Sequence, residues 1–304
     1  MPGMMLLWAL AASAAAAVGE YRVISVLEGD QTPPTQPRAL SVCGEEDLPT
    51  TLGLASSDTR CLPSPDGRAW LLVKHREAMD SAMVSILRPG SSHPLDVGAF
   101  AFVDNAVWAP DAREVALLAE SMSGERQSGG AEGSQPYIVD TRTGRFVRAG
   151  TVAGSAFSAA WCGTSKLAVL AAPDPEAIGD LFTGDLYLAD TKRHVAKRVT
   201  NGLDLILAAA GPAGILAVVD ATAVRLRLFD VNSGASAGDI TIAEASGEGH
   251  FEDRIENLWW RSPSEVGLVT GAFGGISWSG ERTFFVHLSK KGRRAGHRLF
   301  ARRR

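Results

Sequence analysis

A stretch of about fifty residues that recurs along the chain is the feature that most limits how this sequence can fold. Its clearest copy, residues 99–150, contains four short apolar runs separated by turn residues. When Trp108 is used as a marker, successive copies are spaced by 45, 53, 49 and 50 residues. The matching positions are Pro63, Trp108, Trp161, Ala210 and Trp260. Four short strands in a unit that repeats at this period are typical of the blades of a β-propeller.

A turn follows each marker, and a second apolar run follows the turn. Pro sets φ at the first turn position, and Asp or Gly tolerates the next one. The second runs are Trp70–Val73, Val115–Leu118, Leu167–Leu170, Ile215–Val219 and Val266–Val269. Because five units agree at several positions, the sequence predicts an all-β fold, a β-propeller of five four-stranded blades. Six blades remain an alternative, since two strand-like segments within residues 19–56 are either closing strands or an incomplete extra blade.

The first eighteen residues differ from the rest of the chain. The run from Met4 to Val18 is apolar and uncharged, and Ala15 and Ala17 suit an A-x-A cleavage site. This pattern predicts a secretory signal peptide cleaved after about Ala17, and therefore a periplasmic or secreted protein. An uncleaved anchor and a misassigned start are the alternatives. The predicted organisation is a signal peptide at 1–18, N-terminal closing strands and a linker at 19–56, and the propeller at 57–304.

Three turns resemble those of TolB-type propeller repeats. Residues 64–68 read Ser-Pro-Asp-Gly-Arg, residues 109–113 read Ala-Pro-Asp-Ala-Arg, and residues 140–144 read Asp-Thr-Arg-Thr-Gly. Such repeats form bacterial periplasmic propellers and the propeller domains of prolyl oligopeptidase relatives, so the resemblance implies this fold and an envelope location. It covers about residues 55–300. TolB carries an α/β domain before its propeller, whereas we expect no such domain from the residue pattern of this sequence, and the resemblance implies no functional residue here.

The loops differ in length between the two ends of the predicted ring. Long loops join the second and third strands of three units, at 121–135, 173–184 and 271–281, and we call their end the long-loop end. Tight turns join the other strands at the opposite, tight-turn end. Long loops that converge at one mouth of a channel predict a site for a protein partner or small ligand, although they are alternatively solvated insertions. The candidate apolar anchors are Phe182, Phe273 and Trp278.

Catalytic constellations are not evident in the sequence. The six histidines are scattered without metal-ligand spacing, and tryptophans at the ends of first strands fit core packing better than a cofactor site. We therefore predict no catalytic residue, no metal and no cofactor, and a non-catalytic protein-binding or assembly module of the bacterial cell envelope. The alternative is a hydrolase or lyase whose residues line the channel mouth from different blades. Convergent carboxylates and histidines at that mouth would favour the enzyme.

Two cysteines flank the entry to the first blade. In an exported protein Cys43 and Cys61 are candidates for a disulfide. Closing that loop would stabilise the fold by about 3 kcal/mol on the chain-entropy model. Reduced thiols in a reducing compartment are the alternative.

The C-terminal tail is strongly basic. Residues 289–304 contain eight Lys or Arg and no acid, whereas the whole chain has a formal net charge of −4. We expect this tail to contact anionic envelope components, or alternatively to form a solvated strand and terminus. Nucleic acid is not an expected partner, because the body of the protein is acidic.

Overall fold

A computed structural model describes most of the repeat region. The described residues are 21–28, 40–43, 58–76, 81–91, 93–122, 133–173, 183–211, 214–220, 225–241, 254–272 and 279–290. Their regular structure consists of twenty β-strands, which confirms the all-β prediction. Within these ranges no helix is long and apolar enough to cross a membrane.

The strands form four-stranded antiparallel units that follow the sequence repeat. Two strands precede the repeat, β1 (Tyr21–Glu28) and β2 (Ser41–Val42). Unit 1 contains β3 (Thr59–Pro63), β4 (Trp70–Arg76), β5 (Ser81–Leu87) and the first half of β6 (Leu95–Trp108). Unit 2 contains the second half of β6, then β7 (Glu114–Ser121), β8 (Gln135–Asp140) and β9 (Phe146–Arg148).

Units 3, 4 and 5 are separate sheets. Unit 3 contains β10 (Ser155–Trp161), β11 (Lys166–Ala172), β12 (Asp185–Asp190) and β13 (Val195–Arg198). Unit 4 contains β14 (Leu205–Ala210), β15 (Ile215–Asp220), β16 (Arg225–Asp230) and β17 (Ser236–Thr241). Unit 5 contains β18 (Arg254–Ser262), β19 (Glu265–Ala272) and β20 (Ser279–Lys290), and β1 is its fourth strand. β1 pairs antiparallel with β20 and so covers the outer edge of this last sheet.

Strand β6 is longer than the sequence predicts. The repeat suggests a start at Phe100, but β6 begins at Leu95 and pairs first with β5 and then with β7. No Pro-Asp or Thr-Gly turn lies between Leu95 and Phe100, so the chain passes from unit 1 to unit 2 without a loop. Gly98 lies at this crossing with a φ of 145°, and a Cβ there would lie 3.2 Å from Cε1 of Phe146. Units 1 and 2 therefore share one eight-stranded sheet, with β2 at its inner edge.

Apolar cores lie between neighbouring units. In β11, Leu167 and Val169 face the core shared with unit 2, whereas Ala168 and Leu170 face the core shared with unit 4. Burial on both faces explains why the second strand of each unit is an unbroken apolar run rather than an alternating one. Equivalent cores join units 1 and 2 and units 4 and 5. Among the described residues no apolar cluster joins unit 5 to unit 1, so closure and the number of blades stay predictions, as do the domain boundaries.

Tryptophans at the ends of the inner strands connect consecutive units. In three units the indole Nε1 donates a hydrogen bond to a main-chain carbonyl of the preceding inner strand. The pairs are Trp108 to Leu62 at 3.0 Å, Trp161 to Val107 at 2.9 Å and Trp260 to Ala209 at 3.0 Å. Each acceptor lies one residue before the marker of its own unit, so the bond repeats with the unit. These tryptophans are structural, in agreement with the core-packing interpretation.

Unit 4 lacks this tryptophan because its marker is Ala210. The carbonyl that a tryptophan there would reach, that of Ala160, lies instead 3.7 Å from the Sγ of Cys162. Next along the chain, Gly211 leaves room for the following unit, since a Cβ on it would lie 2.3 Å from the Trp260 ring. The position of the Trp260 ring therefore requires glycine at position 211.

Candidate functional site

The predicted anchors lie outside the residues that the structure describes. Phe182, Phe273 and Trp278 belong to the long loops, of which only the ends are described. Their role in binding stays a prediction. The long-loop end can still be examined, because the first residues of the inner strands and the last residues of the second strands lie there.

A hydrogen-bonded pair of basic side chains occupies this end of unit 1. Arg60, near the start of β3, donates through Nη2 to the carbonyl oxygen of Val103 in unit 2 and lies 3.0 Å from Nε2 of His75. A guanidinium group only donates hydrogen bonds, so Nε2 of His75 is the acceptor and the ring is neutral with its proton on Nδ1. Burial, and then the positive charge of Arg60, lower the pKa of His75, although Asp58 opposes this. His75 therefore stays neutral and holds Arg60 in place.

A carboxylate stands beside this pair. Asp104, at a bulge in β6, accepts a hydrogen bond from the hydroxyl of Ser134. Asp104 as a whole residue is exposed to solvent. Neighbouring protein atoms nevertheless desolvate its carboxylate and raise its pKa. The Ser134 hydrogen bond and the charge of Arg60 counteract part of that rise. A carboxyl group with a raised pKa takes up a proton more readily than an ordinary surface aspartate.

The polar contacts continue into unit 3. The main-chain N–H of Ser134 donates to the hydroxyl of Ser155 at 3.0 Å, and Ser155 begins the inner strand of that unit. Polar groups from His75 to Ser155 thus line the long-loop end across three units. The Nε of Arg60 is buried and finds no hydrogen-bond partner in the described part of the chain.

An exposed aromatic side chain adjoins these polar groups. Phe102 is 45% exposed, and its ring centroid lies 5.8 Å from that of His75. Met122, at the end of the second strand of the same unit, is 52% exposed. Arginine and aromatic side chains are among the residue types that contribute most to binding energy at interfaces. The long-loop end of units 1 and 2 therefore has the composition of a binding surface.

Sequence reasoning missed Phe102 because regular alternation would place it on the same side as Phe100. The pairing register of β6 with β7 shifts between these two residues. A one-residue shift turns the side chain to the opposite face of the sheet, so Phe100 is 1% exposed whereas Phe102 is open to solvent. No residue pattern marks the position of a β-bulge, so this exposure had no sequence signal.

The cysteine pair lies in one buried apolar cluster. Cys61 is paired with Ser41, and the N–H of Cys43 donates to the carbonyl of Thr59 at 3.0 Å. The two cysteines are thus diagonal neighbours on adjacent strands. Diagonal neighbours have Cα atoms about 7–8 Å apart, beyond the usual disulfide range, so a disulfide would require the strands to shift. The Cys43–Cys61 disulfide stays a prediction.

A serine motif and a cysteine thiol could each suggest a nucleophile, but neither has the arrangement or the reactivity that catalysis requires. Residues 234–238 read Gly-Ala-Ser-Ala-Gly, the pattern of a hydrolase nucleophile elbow, but they form a turn and part of β17 rather than a strand–turn–helix. Burial raises the pKa of the Cys162 thiol to about 12, so this thiol stays protonated and unreactive. Within the described ranges no group of three or more His, Cys, Asp or Glu side chains could hold a metal ion.

Solved structures resemble this chain in fold. The β-propeller domain of the Trilobed protease from Pyrococcus furiosus, described as having an open velcro topology, matches with a TM-score of 0.52 and 11% identity over 77% of this chain and 69% of that one. A prolyl endopeptidase matches with a TM-score of 0.51 and 12% identity over 70% of this chain, which spans only 32% of that protein. A TolB-like protein from Agrobacterium tumefaciens matches with a TM-score of 0.49 and 16% identity over 71% of each chain.

The sequence comparisons assign no family to this chain. No family model matches the chain, and no curated protein matches its sequence. At identities this low, structural similarity shows the fold alone. The protein therefore has an all-β fold of the β-propeller type.

Proposed function

We propose that this protein is an exported, non-catalytic β-propeller that binds a protein partner at its long-loop end, as an assembly module of the bacterial cell envelope. The observation that carries the proposal is the exposed Phe102 beside Arg60 and His75. The uncharged apolar segment at residues 1–18 supports export, and the repeat supports a ring of five blades.

The geometry suits binding because the charged group is already held in place. Arg60 is fixed by the carbonyl of Val103 and by His75, so little side-chain entropy is lost when a partner contacts it. Phe102 supplies an apolar surface that water solvates poorly. A partner that covers Phe102 and presents an acceptor toward Arg60 would satisfy both groups at once.

The test is affinity capture from the native cell envelope with matched variants. Truncation of an aromatic anchor costs about 2 kcal/mol or more, so Phe102→Ala is expected to weaken partner capture by about thirtyfold without lowering the melting temperature. Val147→Ala is the control, since Val147 is 41% exposed but lies on the outer strand of unit 2. Full capture by Phe102→Ala and by a variant lacking Phe182, Phe273 and Trp278 would place the binding surface elsewhere.

A specific observation favours a hydrolase or lyase as a second candidate. Asp104, His75 and Arg60 converge at the mouth, which is the feature expected of an enzyme built from different blades. A carboxyl group with a raised pKa is suited to general acid or base work, and Arg60 could hold an anionic substrate.

Turnover assays separate the two candidates. Ester substrates report hydrolysis, and uronate polymers report elimination through the absorbance of the new conjugated double bond. An enzyme would lose turnover in Asp104→Asn while retaining its fold. If the unaltered protein turns over neither class and Phe102→Ala loses its partner, the binding module is the correct function.

A further inference from the structure

A groove at the tight-turn end, between units 3 and 4, is distinct from the surface described above. It encloses about 320 Å³. Its apolar walls include Leu188, Val195 and Val199, and its basic residues are Lys166, Arg193 and Lys197. Val195 is 59% exposed although it is apolar. The groove therefore combines an apolar wall with a cationic rim.

Two turns of similar construction shape the groove. Oδ1 of Asp190 accepts hydrogen bonds from two main-chain N–H groups in the turn of unit 3, and Oδ1 of Asp230 does the same in unit 4. Gly234 closes the second turn with a φ of 72°, and a Cβ on it would lie 3.3 Å from Cγ2 of Val199. A larger residue at this position would crowd the wall, so the glycine keeps the groove open.

One cation also fixes the groove wall. Nζ of Lys166 in unit 3 donates to the carbonyl of Val231 and to Oδ1 of Asn232 in unit 4, both at 3.2 Å. This bridge holds the turn of unit 4 against unit 3. These hydrogen bonds thus fix one wall of the groove.

The charge of the groove is opposite to that of the chain. Among the described residues that line it, the one acid is Asp190, whose carboxylate accepts the turn N–H groups and lies 3.9 Å from Nε of Arg193. Lys197 forms no ion pair with any described residue, and Arg193 extends into solvent with 84% of its side chain exposed. Lys166 is engaged by unit 4, where its charge also lowers the pKa of Asp230. Arg193 and Lys197 remain as the cations of the rim, opposite in sign to the net charge of −4 on the whole protein.

We propose that this groove binds an extended acidic peptide segment of a partner protein. Val195 and Lys197 are two residues apart on β13, so their side chains lie on the same face, about 7 Å apart along the strand. An extended peptide presents alternate side chains at the same spacing. A segment that carries an acidic residue and an apolar residue two positions apart would therefore place a carboxylate near Lys197 and Arg193 and an apolar group on Val195. A concave groove of about 320 Å³ fits such a segment better than the broad face of a membrane.

The test uses two labelled peptides, acetyl-Glu-Glu-Leu-Leu-Glu-Glu-amide and its Gln-for-Glu analogue, with fluorescence anisotropy as the readout. The acidic peptide is expected to bind in a salt-dependent manner and the Gln analogue weakly. Reversal of two charges in Arg193→Glu/Lys197→Glu is expected to weaken the acidic peptide about tenfold or more. Arg142→Glu/Arg145→Glu is the control, because it makes the same charge change on the corresponding turn of unit 2, where both arginines are exposed.

Three results would overturn the proposal. They are equal binding of the two peptides, equal loss in the control variant, and absence of peptide binding. If vesicles containing phosphatidylglycerol bind, and the groove variant but not the control loses that binding while neither peptide binds, the groove contacts a lipid surface instead. Phe102→Ala is expected to leave peptide binding unchanged, so the outcome is separable from that of the proposed function.

Discussion

Replacing Trp108 by Phe tests whether indole hydrogen bonds hold consecutive units together. Trp108 is 5% exposed, and its Nε1 donates to the carbonyl of Leu62, which is itself buried. The substitution keeps an aromatic ring but leaves that carbonyl without its partner, which costs about 1–3 kcal/mol. The smaller ring adds about 1 kcal/mol through lost packing. We expect the free energy of unfolding to fall by about 2–4 kcal/mol.

Trp260→Phe is the matched control for this change. Its indole makes the same kind of bond, at 3.0 Å to the carbonyl of Ala209, but Trp260 is only half-buried, so water can replace the lost donor. The cost is expected to be about 1 kcal/mol. Urea unfolding followed by circular dichroism measures both values, provided the m-value is unchanged. A cost for Trp108→Phe no greater than that for Trp260→Phe would refute the argument that the buried hydrogen bond stabilises the unit boundary.

Four further predictions concern single residues. Gly211→Ala is expected to destabilise the protein by about 2 kcal/mol, since the added Cβ would lie 2.3 Å from the Trp260 ring. Gly163→Ala is expected to cost only about 1 kcal/mol in urea unfolding, because its φ is 79° but nothing lies within 4 Å. Burial raises the pKa of Asp185, but hydrogen bonds from side chains and main chain outweigh it and hold the pKa below its usual value. The Asp185 carboxylate therefore stabilises the fold at pH values above the pKa that it has in the unfolded chain, and this stabilisation is lost as the pH falls through its lower pKa in the folded protein. Asp185→Asn is thus expected to reduce the fall in melting temperature at acidic pH. His194 adopts a φ of 58° where the equivalent turns have glycine. His194→Gly is therefore expected to raise the free energy of unfolding by roughly 0.5–1 kcal/mol, and the melting temperature with it.

Much of the fold follows from local pattern. The Pro-Asp and Thr-Gly turns and the apolar runs between them locate the strands of units 1 and 2, because turn residues act through their own φ and ψ. The tryptophan markers could be assigned to packing for a similar reason, since they recur at the same place in the unit. The continuous β6 could not be foreseen, because no turn residue separates Leu95 from Phe100 and the repeat alone does not show where one unit's last strand ends.

The two candidate binding surfaces, at the long-loop end and in the groove, depend on contacts between units. Arg60 and Asp104 are distant in the sequence and meet only because the inner strands of units 1 and 2 lie side by side. The exposure of Phe102 depends on a bulge, and the groove beside Val195 depends on how two turns meet. None of these has a periodic signal, since each arises from the packing of one unit against the next.

Site-specific photocrosslinking in the intact envelope can show whether the long-loop end is the surface that binds the partner. Benzoylphenylalanine would be placed at Phe102 on the long-loop end and, separately, at Arg142 on the exposed turn of unit 2 at the tight-turn end. We expect a discrete protein adduct from position 102 and none from position 142. An adduct from position 142 in the absence of one from position 102 would contradict this expectation.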